Sequence, residues 1–419
     1  MIEAIVIDEV GPLTLRSPDS VVELAELVRS TAAADQGLYP VGGQTMLDLG
    51  LPPSKPGIAV DTQKLARVVD YPARDLTVTV EAGITIAELQ RTLAAEGQRL
   101  PVDVPNSDRA TLGGALASNQ SGPRRLGFGT LRDYVIGIRF MTDAGEEVKA
   151  GGQVVKNVAG YDLMKLQIGA LGTLGILTQV TLKVSPKPED RAMIAFGLSA
   201  AAVGPTLDRL HASVSRPVMV ELLNATTAKL VSTKSSVNLP DTDPFVLIAG
   251  FEEKAVTVSW QLATLKDELK TAPIRGILEL RGSACDPLNS ALIELQTNID
   301  SRFILKANVL PSRLAGFIST ASANHPDLML HAHAANGIAY AHMDSPELTV
   351  ERASAMLTSL TPSTADANGR LTVRRCPAPW KKVLPIWGQP HGDRGVMRSV
   401  KLALDPNNLF NPGRLFGDL

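Results

Sequence analysis

The chain has 419 residues, 44% of them hydrophobic and 20% charged, which is the make-up of a folded globular protein of two to four domains and not of a disordered chain. Forty-one Lys and Arg against 43 Asp and Glu leave a net charge of −2, and aromatic residues make up only 4%. This argues against a nucleic-acid binder working through basic charge or base stacking.

The first part of the chain alternates strands and helices. Residues 2–7 predict a strand, and Asp19 or Ser20 caps a helix with Val21, Leu24, Leu27 and Val28 on its apolar side, ending near Gly37. Residues 38–41 form a short strand that runs into Gly42-Gly43, and residues 58–61 form another. The alternating LTVTVE of residues 76–81 predicts a strand, followed by a Thr85-x-x-Glu88 capping box that opens a helix ending at Gly97. Residues 103–129 are rich in Gly, Ser, Asn and Pro. Strands at 134–142 and 147–149 flank Asp143-Ala144-Gly145, a hairpin signal; a helix at 163–168 and a strand at 176–184 follow.

Residues 185–190, SPKPED, read as a domain boundary. Beyond them, strands at 245–249, 303–309, 338–342 and 370–373 alternate with helices at 257–269, 287–296, 312–322 and 347–360. The expectation is an antiparallel sheet backed by helices. From about Trp387 the tail is a helix followed by the turn-rich DPNNLFNPGRLF, and no internal repeat stands out.

Cys285 and Cys376 are the sole cysteines, too few for an iron–sulfur cluster, and they read as buried thiols. The start carries Glu3, Asp8 and Glu9 in place of a basic signal-peptide region. The longest apolar run is about seven residues, at 245–251, far short of a membrane span. The expected location is the cytoplasm.

Three glycine-rich segments stand at strand borders: YPVGGQTM at 39–46, TLGGALASNQSG at 111–122 and GALGTLGI at 169–176. Consecutive backbone N–H groups in such turns can cradle phosphate oxygens, and glycine lets a ligand approach main chain. Each segment also has an ordinary reading: a tight turn, a glycine-rich helix packed on a sheet, and a helix cap before a bulged strand. None is GxGxxG or GxxxxGK[ST], which disfavours a Rossmann site and excludes a P-loop. Three together point to one long ligand such as FAD.

The order of PVGGQT, ATLGGALASNQSGPRRLGFGTLRDYVIG, GGQVVKNVAGYDLMKLQIGALGTLGILTQVTLKV and WGQPHGDRGVMRSVKLALDPNNLFNPGR resembles the FAD-linked oxidases of the vanillyl-alcohol-oxidase and para-cresol-methylhydroxylase type, above all the FAD-binding subunits of glycolate oxidase. The resemblance implies an α+β fold. Residues 1–187 would be a two-subdomain FAD domain of the para-cresol-methylhydroxylase type and 188–386 a cap domain for substrate or partner contact. Residues 387–419 would return to the FAD site. It also implies that Pro40, Val41, Gly42, Gly43, Gln44, Thr45 and Met46 form the pyrophosphate loop. Thr111, Gly113, Gly114, Ala117, Ser118 and Gly122 would line the sugar, phosphate and flavin path. Gly172, Thr173, Gly175 and Ile176 would hold the adenine and ribityl side, with Asn411 near the flavin end. Some relatives tether FAD through a histidine near the first loop; Gln44 stands in this one, so noncovalent FAD is expected.

Relatives that oxidise 2-hydroxy acids carry H-x-G-x-G-x-x-H in the cap. Here His331, His333 and His342 fall in HAHAANGIAYAH without its glycine and acidic positions, so no metal is assigned and a solvated or hydrogen-bonded cluster is expected. Arg374, Arg375, Lys381 and Lys382 surround Trp380; Arg375 suits a substrate carboxylate, although a solvated face or a partner contact serves equally. His391, Asp393 and Arg394 are a second polar group that can serve acid–base chemistry or merely sit in a loop. Lys156 and Asp162 in KNVAGYD read as structural.

The resemblance therefore implies an FAD-binding subunit of a glycolate oxidase complex, which turns glycolate into glyoxylate. A catalytic FAD subunit and an iron–sulfur subunit would be its partners, reaching the membrane only through them. A self-sufficient dehydrogenase for lactate or glycolate, and a structural subunit with a vestigial flavin site, are the alternatives.

Overall fold

The computed structural model describes residues 4–152, 162–240, 243–297, 301–365, 369–389 and 392–415. The chain divides into two units, one of Met1–Ser121, Thr130–Lys187 and Pro390–Leu419, the other of Gly122–Gly129 and Pro188–Gln389. Among the described residues no helix is long and apolar enough to cross a membrane.

Among the described residues the first unit holds two main sheets, of four and five strands, and a two-stranded pairing of Gln98–Arg99 with Ser185–Pro186. In the four-stranded sheet, the hairpin Ala4–Ile7 and Val10–Arg16 is extended in parallel by Gly57–Asp61 and then Gly37–Val41. The five-stranded sheet runs Val68–Asp70, Thr77–Glu81, Ile176–Lys183, Val135–Met141, Glu147–Gly151, all antiparallel. Helix Val21–Ala33 begins where the Ser20 side chain accepts from the Glu23 N–H, 3.2 Å away, and Glu23 accepts in return from the Asp19 N–H at 2.9 Å. It stops four residues before Gly37. Leu24 and Val28 are wholly buried, which stabilises the helix by about 1.5–3 kcal/mol each. Helix Ile86–Ala95 starts at Thr85, whose hydroxyl accepts from Glu88 N–H at 3.2 Å, and Gly97 follows it at φ +66°. Tyr134 closes a helical turn, so the expected strand from 134 starts at Val135. The tail joins this unit: Leu38 N–H donates to Leu409 O and Asn411 N–H to Leu38 O, at 2.7 and 2.9 Å.

The second unit is an eight-stranded antiparallel sheet. Its order is Ile274–Arg281, Asp190–Leu198, Phe245–Glu253, Met219–Asn224, Met329–His333, Ile338–Met343, Phe303–Asn308, Arg370–Arg375. The two halves share one wiring. Strand Asp190–Leu198 and strand Phe303–Asn308 each open a strand–helix–strand–strand–helix–strand set of the ferredoxin-like kind, the first half carrying the extra helix Ala225–Ser235. In each half the strands lie in the order fourth, first, third, second, and the two second strands pair at the centre, Glu221 opposite His333. The repeat is one of topology. Helices Ala225–Ser235 and Asp286–Glu294 bury Met219, Leu223, Val246 and Ile248 in a core that includes Cys285.

Candidate functional site

The first unit brings three glycine segments and the tail to one cleft. Strand Gly37–Val41 delivers Gly42 and Gly43. Thr111 caps helix Leu112–Ala117, its hydroxyl accepting from Gly114 N–H at 3.2 Å. The third segment docks on the end of that helix through Gly169 N–H to Leu116 O and Leu171 N–H to Ala117 O, both 2.9 Å. The Asn411 side-chain amide donates to Leu171 O at 2.6 Å.

Two adjoining cavities result, of about 100 and 70 Å³, and both are bordered by Pro40, Gly42, Gly114, Ala117, Leu171 and Asn411. Residues 43–46, Thr111 and Ser118 belong to the first; Val41, Gly113, Gly172, Gly175 and Ile176 to the second. Of the residues singled out from the sequence, Thr173 and Gly122 stand elsewhere. Thr173 is turned inward, its hydroxyl donating to Ala170 O at 2.7 Å, and Gly122 falls in the second unit. The sequence reading missed Leu171, Gln167, Thr62 and Arg414, which also line the cleft. Arg414, one residue past the glycine of FNPGR, was within reach of that motif.

The glycines do two different jobs. A Cβ on Gly43 would lie 1.7 Å from Arg109 O, and one on Gly42 2.2 Å from the Thr111 hydroxyl oxygen. Those two let loop meet loop. Gly114 is different: a Cβ there has only the Thr111 hydroxyl within 4 Å, at 3.1 Å, and otherwise faces open space. The cleft wall is bare main chain at that point. Gln44, Leu171 and Asn411 adopt left-handed backbone at φ +57°, +54° and +43°. Such residues cost about 1–2 kcal/mol each and gather at ligand clamps.

Two guanidinium groups brace the first loop. Arg414 is buried and donates to Asp8, to Leu47 O, and to Leu49 O and Leu51 O at 2.7 and 2.6 Å, which fixes the chain just beyond the first loop. Arg109 donates to Gly43 O at 3.2 Å. A bare main-chain wall beside a braced glycine loop fits the diphosphate of a dinucleotide. Among the described lining residues none is a histidine or cysteine.

A second polar group lies within the sheet of the other unit. Strand alternation puts Glu221, His331, His333, Tyr340, His342 and Lys306 on one face, since His331 pairs with Tyr340 and Tyr340 with Lys306. His333 Nδ1 is 2.8 Å from Glu221 Oε1, and His342 Nε2 is 3.2 Å from His331 Nδ1. The cluster is hydrogen-bonded and buried, not solvated. His331 stacks on Tyr340, ring centres 4.8 Å apart. The Nε2 atoms of His331 and His333 and Nδ1 of His342 are buried without a hydrogen-bond partner. Burial, reinforced by Arg375, pushes the His342 imidazole down to about 3, and burial with the neighbouring imidazoles drives His331 well below its usual range. Burial, then Arg374 and Arg125, lower the Lys306 amine to about 7. Among the described residues no group of three or more His, Cys, Asp or Glu has metal-site geometry.

The remaining candidates are scattered. Arg375 ends strand Arg370–Arg375 in the second unit, and Arg394 opens helix Arg394–Leu404 on an exposed surface of the first. Asp393 and Asp162 are exposed; His391 and Lys156 lie outside the described residues. Lys381 is buried and Lys382 exposed, so the basic stretch is not a uniformly solvated face. Both thiols are buried, and burial pushes Cys285 up to about 11.

Comparison with known proteins agrees with the first cleft. Residues 12–151 match the FAD binding domain model, and residues 391–415 match that of the FAD linked oxidases, C-terminal domain. The glycolate oxidase subunit GlcD of Bacillus subtilis (strain 168) is 24% identical over 420 residues, spanning 97% of this chain and 89% of that protein. The glycolate oxidase subunit GlcE of Escherichia coli (strain K12) is 37% identical over 175 residues, 42% of this chain and 49% of that one. A solved alkyldihydroxyacetonephosphate synthase shares the fold with a TM-score of 0.70 at 19% identity, over 96% of this chain and 77% of its own. Two matched segments, far apart in sequence, thus supply parts of one cleft: the chain carries an FAD binding domain and a tail similar to the C-terminal domain of FAD linked oxidases, and its cofactor is FAD.

Proposed function

We propose that the chain is the FAD-bearing subunit of a complex that oxidises a 2-hydroxy acid, glycolate being the first candidate. The observation that carries this is the convergence of three glycine segments and the tail on one main-chain-walled cleft. Relatives named for glycolate oxidase and D-lactate dehydrogenase supply the substrate class.

In this reading residues 40–46, with Arg414 and Arg109 behind them, hold the diphosphate. Gly114, Ala117 and Ser118 flank the chain of the cofactor, and Gly172, Gly175, Ile176 and Asn411 close the far wall. The attachment is noncovalent, since Gln44 occupies the first loop. When bound, FAD supplies a two-electron acceptor. Electrons leave through a partner that carries the iron–sulfur cluster, because the two buried thiols of this chain cannot bind one.

A second reading, a self-sufficient dehydrogenase, rests on the buried polar face of the other unit. Oxidation of a 2-hydroxy acid releases a proton from the hydroxyl as the hydride leaves the α-carbon. Lys306, with its amine near 7, or the unpartnered Nε2 of His333 can take that proton, and Arg374 or Arg375 can hold the carboxylate.

The visible spectrum of the purified chain with and without glycolate separates the readings. Flavin bands that persist with glycolate, and bleach only with the other subunits present, support the first. Bleaching by the single chain supports the second. A colourless protein that takes up no added FAD rejects both and leaves a structural subunit.

A further inference from the structure

Lys401 is a buried cation that none of the chemistry above uses. It is the one buried residue of helix Arg394–Leu404. Its ammonium donates to Thr173 O at 2.8 Å, to Phe410 O at 3.0 Å and to the Asp405 carboxylate. Asp405 in turn accepts from Leu409 N–H at 2.9 Å and Phe410 N–H at 2.8 Å. All three ammonium protons are therefore committed: Thr173 O belongs to one stretch of main chain, while Phe410 O and the Asp405 carboxylate, which binds Leu409 and Phe410 N–H, hold a second.

Those stretches include the two that form the far wall of the FAD cleft. Thr173 O is the inward carbonyl of the segment whose Leu171 and Gly172 face the cleft. Phe410 immediately precedes Asn411, whose amide bonds Leu171 O. The helix thus fastens the glycine segment to the tail from behind, while Asn411 fastens them at the cleft surface. Left-handed backbone at Leu171 and Asn411 adds a local cost that such anchoring must hold against.

We propose that Lys401 is a positioning residue for the cofactor: its ammonium fixes the spacing between the Leu171–Gly172 wall and Asn411, and so sets FAD affinity without touching FAD. This rests on the reading of the cleft as the FAD site.

The test compares wild type with K401M/D405N, which removes both buried charges together and so avoids stranding either one. Three quantities are read on each protein: the melting temperature without FAD, the Kd for FAD, and the visible circular dichroism of bound flavin. The expected result is a melting temperature within a few degrees of wild type, a Kd raised at least tenfold, and a changed flavin dichroism. Unchanged Kd and dichroism overturn the proposal. If the double variant does not fold, K401Q, which keeps two N–H donors, takes its place: a raised Kd with changed dichroism supports the proposal, and wild-type values of both overturn it. Failure of wild type itself to bind FAD refutes the reading of the cleft instead.

Discussion

Gly43 and Gly114 both border the cleft, yet the structure assigns them opposite consequences on substitution by alanine. At Gly43 the new Cβ would sit 1.7 Å from Arg109 O and 2.4 Å from the carbonyl carbon, and real contacts do not fall under 3.0 Å. The Arg109 main chain must retreat on the order of 1 Å, carrying Thr111 and its cap on helix Leu112–Ala117 with it. Overpacking against main chain costs about 3 kcal/mol. For a unit of roughly 200 residues, at about 2–4 °C per kcal/mol, the melting temperature without FAD falls by about 6–12 °C. At Gly114 the Cβ meets only the Thr111 hydroxyl at 3.1 Å, and alanine favours a helix over glycine by about 1 kcal/mol. Stability of G114A stays near wild type, but its methyl occupies the cleft. Crowding of about 1–3 kcal/mol raises the Kd for FAD by about five- to 150-fold. Thermal melts of the apo proteins and FAD titrations by flavin fluorescence measure both quantities. A G114A protein that binds FAD like wild type, or a G43A protein that melts like wild type, contradicts this division of roles.

Two more predictions concern charge. R414M removes the donor to Asp8 and to the carbonyls of Leu47, Leu49 and Leu51, and urea unfolding should show a loss of about 3–5 kcal/mol; R414K should not restore it, because one ammonium cannot replace a five-donor fork. His342 titrates near 3 in the folded chain and near 6.5 unfolded, so between these values the unfolded state binds the extra proton and stability falls as pH falls. Each such group contributes at most about 1.4 kcal/mol per pH unit, and H342N should flatten the slope of unfolding free energy against pH between 6.5 and 3. A slope identical to wild type counts against a buried neutral imidazole at this position.

Local signals explain what was legible in the sequence. The alternation at 76–81, the Thr85 cap and the Asp143-Ala144-Gly145 turn each depend on a few adjacent residues, and strand, helix and hairpin stand there. The strands Val10–Arg16, Met219–Asn224 and Ile274–Arg281 were not foreseen. The first contains Gly11-Pro12, and the last an interior Gly276 at φ +51°, both of which read as turns. The repeated wiring of the second unit leaves no trace in residue identities because only the path of the chain is shared. Gly43 borders the cavity, and its missing Cβ also makes room for Arg109 O, a contact that the glycine motif alone does not reveal. Arg414 meets Asp8 across almost the whole chain, and Lys401 meets Thr173 across more than half of it; no local pattern encodes such pairs.

Whether bare main chain in the first unit holds FAD without a covalent bond can be read in one step. The purified, FAD-loaded chain is denatured and its small molecules are separated from the protein. The expected result is one FAD per chain, all of it recovered in the small-molecule fraction as intact dinucleotide. Flavin that stays with the denatured polypeptide, or a chain that never takes up FAD, is the opposite result.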